Sequence, residues 1–190
     1  MKVSLFIFIL SSGMFLVTHH ELKAQKNSEA VGLEIETDPL AYFLSGYSFH
    51  LAYTFKHIRA SMGVFGIEQP GFFLGNEKLA VFSSGYDLKA DYLFGNLRGL
   101  FLGVQMTYGK ETIELKNGQA REENNGFTYG IRSGYRIMLG KKDKQFKGLY
   151  VIPWIALMHA PGAKPVQVGP EEYRPAAWIP FPTVHIGYRF

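Results

Sequence analysis

The chain contains no cysteine. That excludes disulfide scaffolds, thiolate catalysis and Cys-ligated metal centres. Charge is sparse as well. Only 19% of residues are Asp, Glu, Lys or Arg, the net charge is +4, and no polybasic run occurs. A nucleic-acid-binding surface is therefore not indicated. Beyond the N-terminus no apolar run approaches the roughly 18 residues of a membrane helix, and apolar spacing with a helical period is almost missing. Aromatic residues and glycine are plentiful: 16 Phe, 11 Tyr and 21 Gly in 190 residues. That combination points to an all-β chain, and its length suits one domain.

The first residues read as an address. Met1-Lys2 is a positive start, Leu5 to Val17 is apolar apart from Ser11, Ser12 and Gly13, and Leu22-Lys23-Ala24 ends on a small residue. This is the layout of a secretory signal peptide, too short to span a bilayer as a helix. Cleavage after Ala24 is expected, giving a leader of residues 1–24 and one mature domain of residues 25–190. Losing Lys2, Lys23 and Glu21 takes the +4 chain to +3.

The rest of the chain alternates. Tyr47, Phe49, Leu51, Tyr53 and Phe55 share one face, while Ser48, His50, Ala52 and Thr54 share the other. A strand has a side-chain period of two, so this is a strand with one apolar and one polar or small face. The pattern recurs over Val31–Glu36, Ile58–Phe65, Tyr86–Phe94, Leu100–Tyr108, Phe127–Ile137 and Thr183–Phe190. Gly148–His159 is weaker, with both faces apolar and Pro153 inside. About eight strands result. Short links (Lys56-His57, the hairpin signal Gly95-Asn96, Gly140 to Lys147) take turns with long ones (37–45, 67–85, 110–126, 160–178). That sorts short turns to one end of an up-and-down barrel, with both termini, and long loops to the other. Asn117-Gly118 reads as a hairpin tip, carrying Glu111, Glu114, Lys116, Arg121 and Glu122 into water.

Three features orient the faces. Gly63, Gly103, Gly130, Gly134 and Gly187 lie on the polar face, where a solvated strand surface would be weakened but a narrow lumen would gain room. Tyr47, Tyr53, Phe55, Tyr86, Phe94, Tyr108, Phe127 and Tyr188 crowd the strand ends, as in the aromatic girdles of a membrane barrel. The chain closes on alternating Ile186, Tyr188 and Phe190. This ending, with the strand count, resembles the small eight-stranded bacterial outer-membrane barrels, the OmpA membrane domain and OmpX among them. The resemblance is one of pattern over the whole mature chain, and Pro153 departs from it. It implies a closed antiparallel up-and-down transmembrane β-barrel in the bacterial outer membrane. It also implies contact with outer-membrane lipids and lipopolysaccharide, and delivery to the barrel-assembly machinery through the C-terminal strand.

The interior is then expected to hold Glu34, Glu36, His50, Arg59, Asp87, Lys89, Asp91, Gln105, Arg132, Arg136, His185 and Arg189. Buried charges must be paired, and an eight-stranded lumen is just wide enough to be filled by side chains. A structural network and a plugged lumen are expected, with the acids of the fourth segment pairing to bases of the third, sixth and eighth. No enzyme, cofactor or metal is expected: His50, His57, His159 and His185 have no partner at ligand spacing.

Two alternatives compete. Ser48 and His50 sit two apart on one face, and Glu36 could orient the His, which would suit a lipid A deacylase or acyltransferase of the outer leaflet. No G-x-S-x-G elbow accompanies them. The other alternative is a soluble lipocalin-like periplasmic barrel that binds an apolar ligand. Under the leading reading the work falls to the long loops, where Pro70–Leu74 and Leu79–Phe82 are apolar. They would pack over the mouth or meet another envelope protein, a host surface or a hydrophobic ligand.

Overall fold

A computed structural model describes residues 31–95, 97–141 and 144–190. The expected leader and its cleavage site lie outside the described residues. In chain order the elements are β1 (Val31–Thr37), α1 (Pro39–Phe43), β2 (Tyr47–Phe55), β3 (Ile58–Glu68), α2 (Gly71–Leu74), β4 (Leu79–Leu93), β5 (Gly99–Leu115), β6 (Arg121–Met138), β7 (Gly148–His159), β8 (Val166–Val168), β9 (Glu171–Tyr173) and β10 (Trp178–Arg189). Eight strands close into an antiparallel barrel in the order β1-β10-β7-β6-β5-β4-β3-β2, and β8 and β9 form a separate hairpin. Every barrel strand therefore has two neighbours, and closure removes the sheet edge over most of its height.

The alternation fixes the faces. Along β2 the outward residues Tyr47 to Phe55 are exposed, while Ser48, His50, Ala52 and Thr54 are buried. Side chains of Leu88, Leu102, Val104, Met106 and Ile131 are exposed in the middle of the outer wall. Tyr86, Tyr108 and Phe127 lie in one cross-strand row toward the long-loop end, near Tyr47. Phe55, Tyr92, Phe94, Tyr188 and Phe190 ring the short-turn end. The glycines of the inner face make room: a Cβ on Gly63 would run into the His50 imidazole, and one on Gly187 into the Tyr150 ring.

The strands of the long-loop end differ from their expected extent. β4 starts at Leu79, β5 runs to Leu115 and β6 begins at Arg121, so much of what reads as linker is strand. About ten residues cross a bilayer. The extra residues project: Arg121–Thr128 continues β6 about 25 Å along the strand, paired only with β5. The tip lies where the sequence places it, with Gly118 at φ 74° and its N–H donating to Leu115 O. The expected two-residue reversal at Gly95-Asn96 is longer, spanning 94–98, with Arg98 N–H donating to Gly95 O at 3.4 Å. Asn96 lies outside the described residues.

Beyond the barrel wall, Leu79 and Val81 are fully buried on the inner face of the β4 extension. They pack with Leu74, Ile113, Leu115, Val168 and Tyr173 into a second apolar core that covers the mouth. Burial and the nearby Glu111 carboxylate, which accepts from the Tyr173 hydroxyl at 3.1 Å, hold that phenol above its ordinary pKa.

Prolines follow the backbone parity. Phe190 N–H donates to Leu33 O, so even-numbered backbone groups of β10 face β1. β1 pairs with β10 only as far as Thr37↔Ile186. Pro180 and Pro182 therefore aim their missing N–H at a side with no strand, and blunt that edge without loss of a ladder bond. Pro153 faces β6, and there the pairing is interrupted between Gly134↔Trp154 and Ile137↔Val151 with no change of register. α1 fills the notch above β1. Asp38 caps it, its Oδ1 accepting from Leu40 N–H at 2.9 Å, with Pro39 in the first turn.

Candidate functional site

The lumen holds every charged side chain the sequence assigns to it, and each is buried. Glu34 on β1 is the hub. Its Oε1 accepts from Thr54 Oγ1 (3.0 Å), Arg136 Nη2 (2.9 Å) and Arg189 Nη1 (2.8 Å); its Oε2 accepts from Arg59 Nε (2.8 Å) and Tyr150 OH (3.3 Å). Glu36, one step along the same inner face, takes Arg59 Nη2, Tyr150 OH at 2.9 Å and His185 Nδ1 at 3.0 Å. On β4, Asp91 accepts from Arg59 Nη1 at 3.3 Å and lies 3.5 Å from Arg132 Nε, while Asp87 accepts from Lys89 Nζ at 2.7 Å. Gln105 donates to Thr107 Oγ1 at 3.3 Å.

The partners differ in part from expectation. The fourth-segment acids meet Arg59 of the third and Arg132 of the sixth, but also Lys89 of their own strand. The bases of the last strand go to Glu34 and Glu36 of β1 instead, because closure brings β10 beside β1.

Arg132 is held differently. Its guanidinium carbon lies 4.2 Å from the Trp154 ring centre and 5.2 Å from that of Phe101, and its Nε and Nη1 find no hydrogen-bond acceptor. Ring faces add their attraction to that of the Asp91 carboxylate. These rings belong to an apolar cluster inside the lumen, with Leu93, Tyr150, Ile152, Ala156 and Met158. It explains why β7 is apolar on both faces: one lies outward and the other fills the barrel. Thr54, Tyr150, Trp154, Asp38 and Thr183 are members of the interior that the charge pattern did not reveal.

Ser48, His50 and an acid do meet, but the acid is not Glu36. Ser48 Oγ lies 3.3 Å from His50 Nδ1, and His50 Nε2 lies 2.9 Å from Asp87 Oδ2. Glu36 is turned to Arg59, Tyr150 and His185. The order hydroxyl–imidazole–carboxylate is that of a serine nucleophile. Its setting is not. Ser48 Oγ accepts from Asp38 N–H at 3.1 Å, Ser48 and His50 are each 2% exposed, and the start of α1 lies over them. Ser48 Oγ is thus buried and held by the backbone at the N-cap of α1. Ser48→Ala is expected to cost about 1–2 kcal/mol, from the Asp38 N–H left without its acceptor. It should leave the acylation of lipid A unchanged. Urea unfolding in detergent and mass spectra of lipid A from cells check the two halves.

No group of three or more His, Asp or Glu side chains is arranged to hold a metal ion among the described residues.

No protein-family model matches the chain, and no curated protein matches it. Solved structures do resemble it. The N-terminal β-barrel domain of Pseudomonas aeruginosa OprF is 12% identical, with 84% of this chain and 97% of that one covered and a TM-score of 0.48. Neisserial surface protein A is 9% identical over 87% and 100%, at 0.47. A major outer membrane protein from Thermus thermophilus is 12% identical over 84% and 98%, at 0.44. At such values the barrel's own geometry, rather than the likeness, is what points to a function.

Proposed function

We propose that this chain is an integral protein of the bacterial outer membrane, with a filled, non-conducting lumen and its working surface at the long-loop end. One observation carries the reading: the middle of the outer wall is apolar and exposed while the lumen is charged and buried. In water that arrangement would expose a greasy belt around the whole barrel. In hydrocarbon it is the stable one, since a closed barrel satisfies its backbone internally. A soluble lipocalin-like barrel needs the reverse, with an apolar interior ready for its ligand.

Export would precede insertion, by way of the leader at residues 1–24. The C-terminal strand, with Ile186, Tyr188 and Phe190 outward, would engage the assembly machinery. The role itself is envelope-structural or one of surface contact, exerted by the projecting β4–β6 wall and its cap.

The test is heat-modifiable migration in detergent gels together with labelling of Lys116 on intact cells. Both are expected. A mature chain that stays folded and monomeric in plain buffer, with no amphiphile, would sink the proposal. Planar-bilayer recordings should show no large steady channel.

A further inference from the structure

Charge is distributed unevenly between the two ends. The three short turns carry Lys56, Arg98, Lys141, Lys144 and Lys147, all exposed. In sequence these turns also hold Lys142 and one acid, Asp143, so their charge stays strongly positive. At the opposite end acids outnumber bases, and many are paired: Lys78 with Glu171, Lys110 with Glu123, Arg121 with Glu114 and Arg174 with Glu172. In the lumen the two signs match. The excess positive charge of the described chain is therefore concentrated on one rim.

That rim is continuous with the apolar belt. It lies immediately beyond Phe55, Tyr92, Phe94, Tyr188 and Phe190. Two of its cations lean back over rings, Lys56 Nζ at 5.2 Å from the Phe55 centre and the Arg98 guanidinium at 5.8 Å from that of Phe146. A long basic side chain with its stem along an aromatic surface and its head at the edge is suited to a polar–apolar boundary.

We propose that this rim binds the phosphates of anionic phospholipids in the leaflet bordering the short turns. The proposal rests on the membrane reading above. A phospholipid matches the surface twice over: its phosphate meets the lysines and arginine, and its chains lie along the aromatic ring below them. A soluble polyanion would use only the first of these. Attraction of basic residues to an anionic surface acts within a Debye length, which places the effect at the turns and not along the wall.

The test reconstitutes the full barrel into vesicles of equimolar phosphatidylcholine and phosphatidylglycerol. Lipid retained after mild extraction is counted by mass spectrometry. The wild type should retain phosphatidylglycerol about five-fold over phosphatidylcholine. A variant with Arg98→Gln, Lys141→Gln, Lys144→Gln and Lys147→Gln should bring that ratio near one while keeping heat-modifiable migration. Should the fourfold variant fail to fold, the pair Lys141→Gln and Lys144→Gln should still lower the ratio by half or more. Excess inorganic phosphate should leave the wild-type ratio unchanged. Equal retention by the wild type, a preference that survives in the variants, or its abolition by inorganic phosphate each overturn the assignment. Failure to insert into any vesicle would instead overturn the membrane reading on which it stands.

Discussion

Glu34→Gln is expected to destabilise the barrel by about 3–5 kcal/mol, the usual cost of removing one partner from a buried ionic cluster. Glu34 accepts from three arginines, a threonine and a tyrosine. Gln is nearly the same size, so packing is preserved and the effect reports charge. Its amide oxygen can keep one or two of these bonds, but its NH₂ group would face the guanidinium donors. Arg59 retains Glu36 and Asp91, and Arg189 retains the carbonyls of Val31 and Gln145. Among the described residues Arg136 pairs with the Glu34 carboxylate alone, at 2.9 Å, and its Nε and Nη1 already lack acceptors. The double variant Glu34→Gln, Arg136→Met should therefore recover part of the loss. Urea unfolding in phospholipid vesicles measures both. A Glu34→Gln cost within about 0.5 kcal/mol, the range of an ordinary surface change, would mean that the network contributes little.

Val104→Arg should cost about 2–4 kcal/mol in vesicles, the price of a cation on the lipid face near mid-depth. Val104 is 58% exposed on the outer face of β5, between Leu102 and Met106. For a barrel in water the same change would fall within about 0.5 kcal/mol. Thr112→Arg, on the same face of the same strand but in its projecting part, is expected to be near neutral. A flat result at both positions would contradict the membrane reading directly.

The sequence makes the wall legible and the ends less so. Period-two alternation places each barrel strand and its faces, because a strand half in lipid and half in a charged lumen must alternate strictly. Beyond the belt both faces of β4, β5 and β6 contact polar surroundings or the cap, the contrast fades, and Leu79–Gly85 and Arg121–Gly126 read as linker. β7 blurs for the opposite reason, its inner side being apolar. The lumen is legible as a set of residues, since polar alternation gives membership. It is not legible as partners. The link between Glu34 and Arg189 depends on closing the last strand onto the first, and that between His50 and Asp87 on β2 and β4 flanking β3. Gly63 on β3, opposite His50, is the trace of the latter: it leaves the space the imidazole occupies.

The cap changes what variation the outer end can accept. Leu74, Leu115, Val168 and Tyr173 come from or border three separate connections, yet share one core. Lengthening the turn between Val168 and Glu171 would disturb the seating of Leu79 and Val81, so foreign epitopes cannot be grafted there as onto an independent loop. The hairpin tip at Asn117-Gly118 is exposed, with nothing within 4 Å of a Cβ built at Gly118. Inserts belong there, where the chain can diversify while the body beneath it keeps its shape.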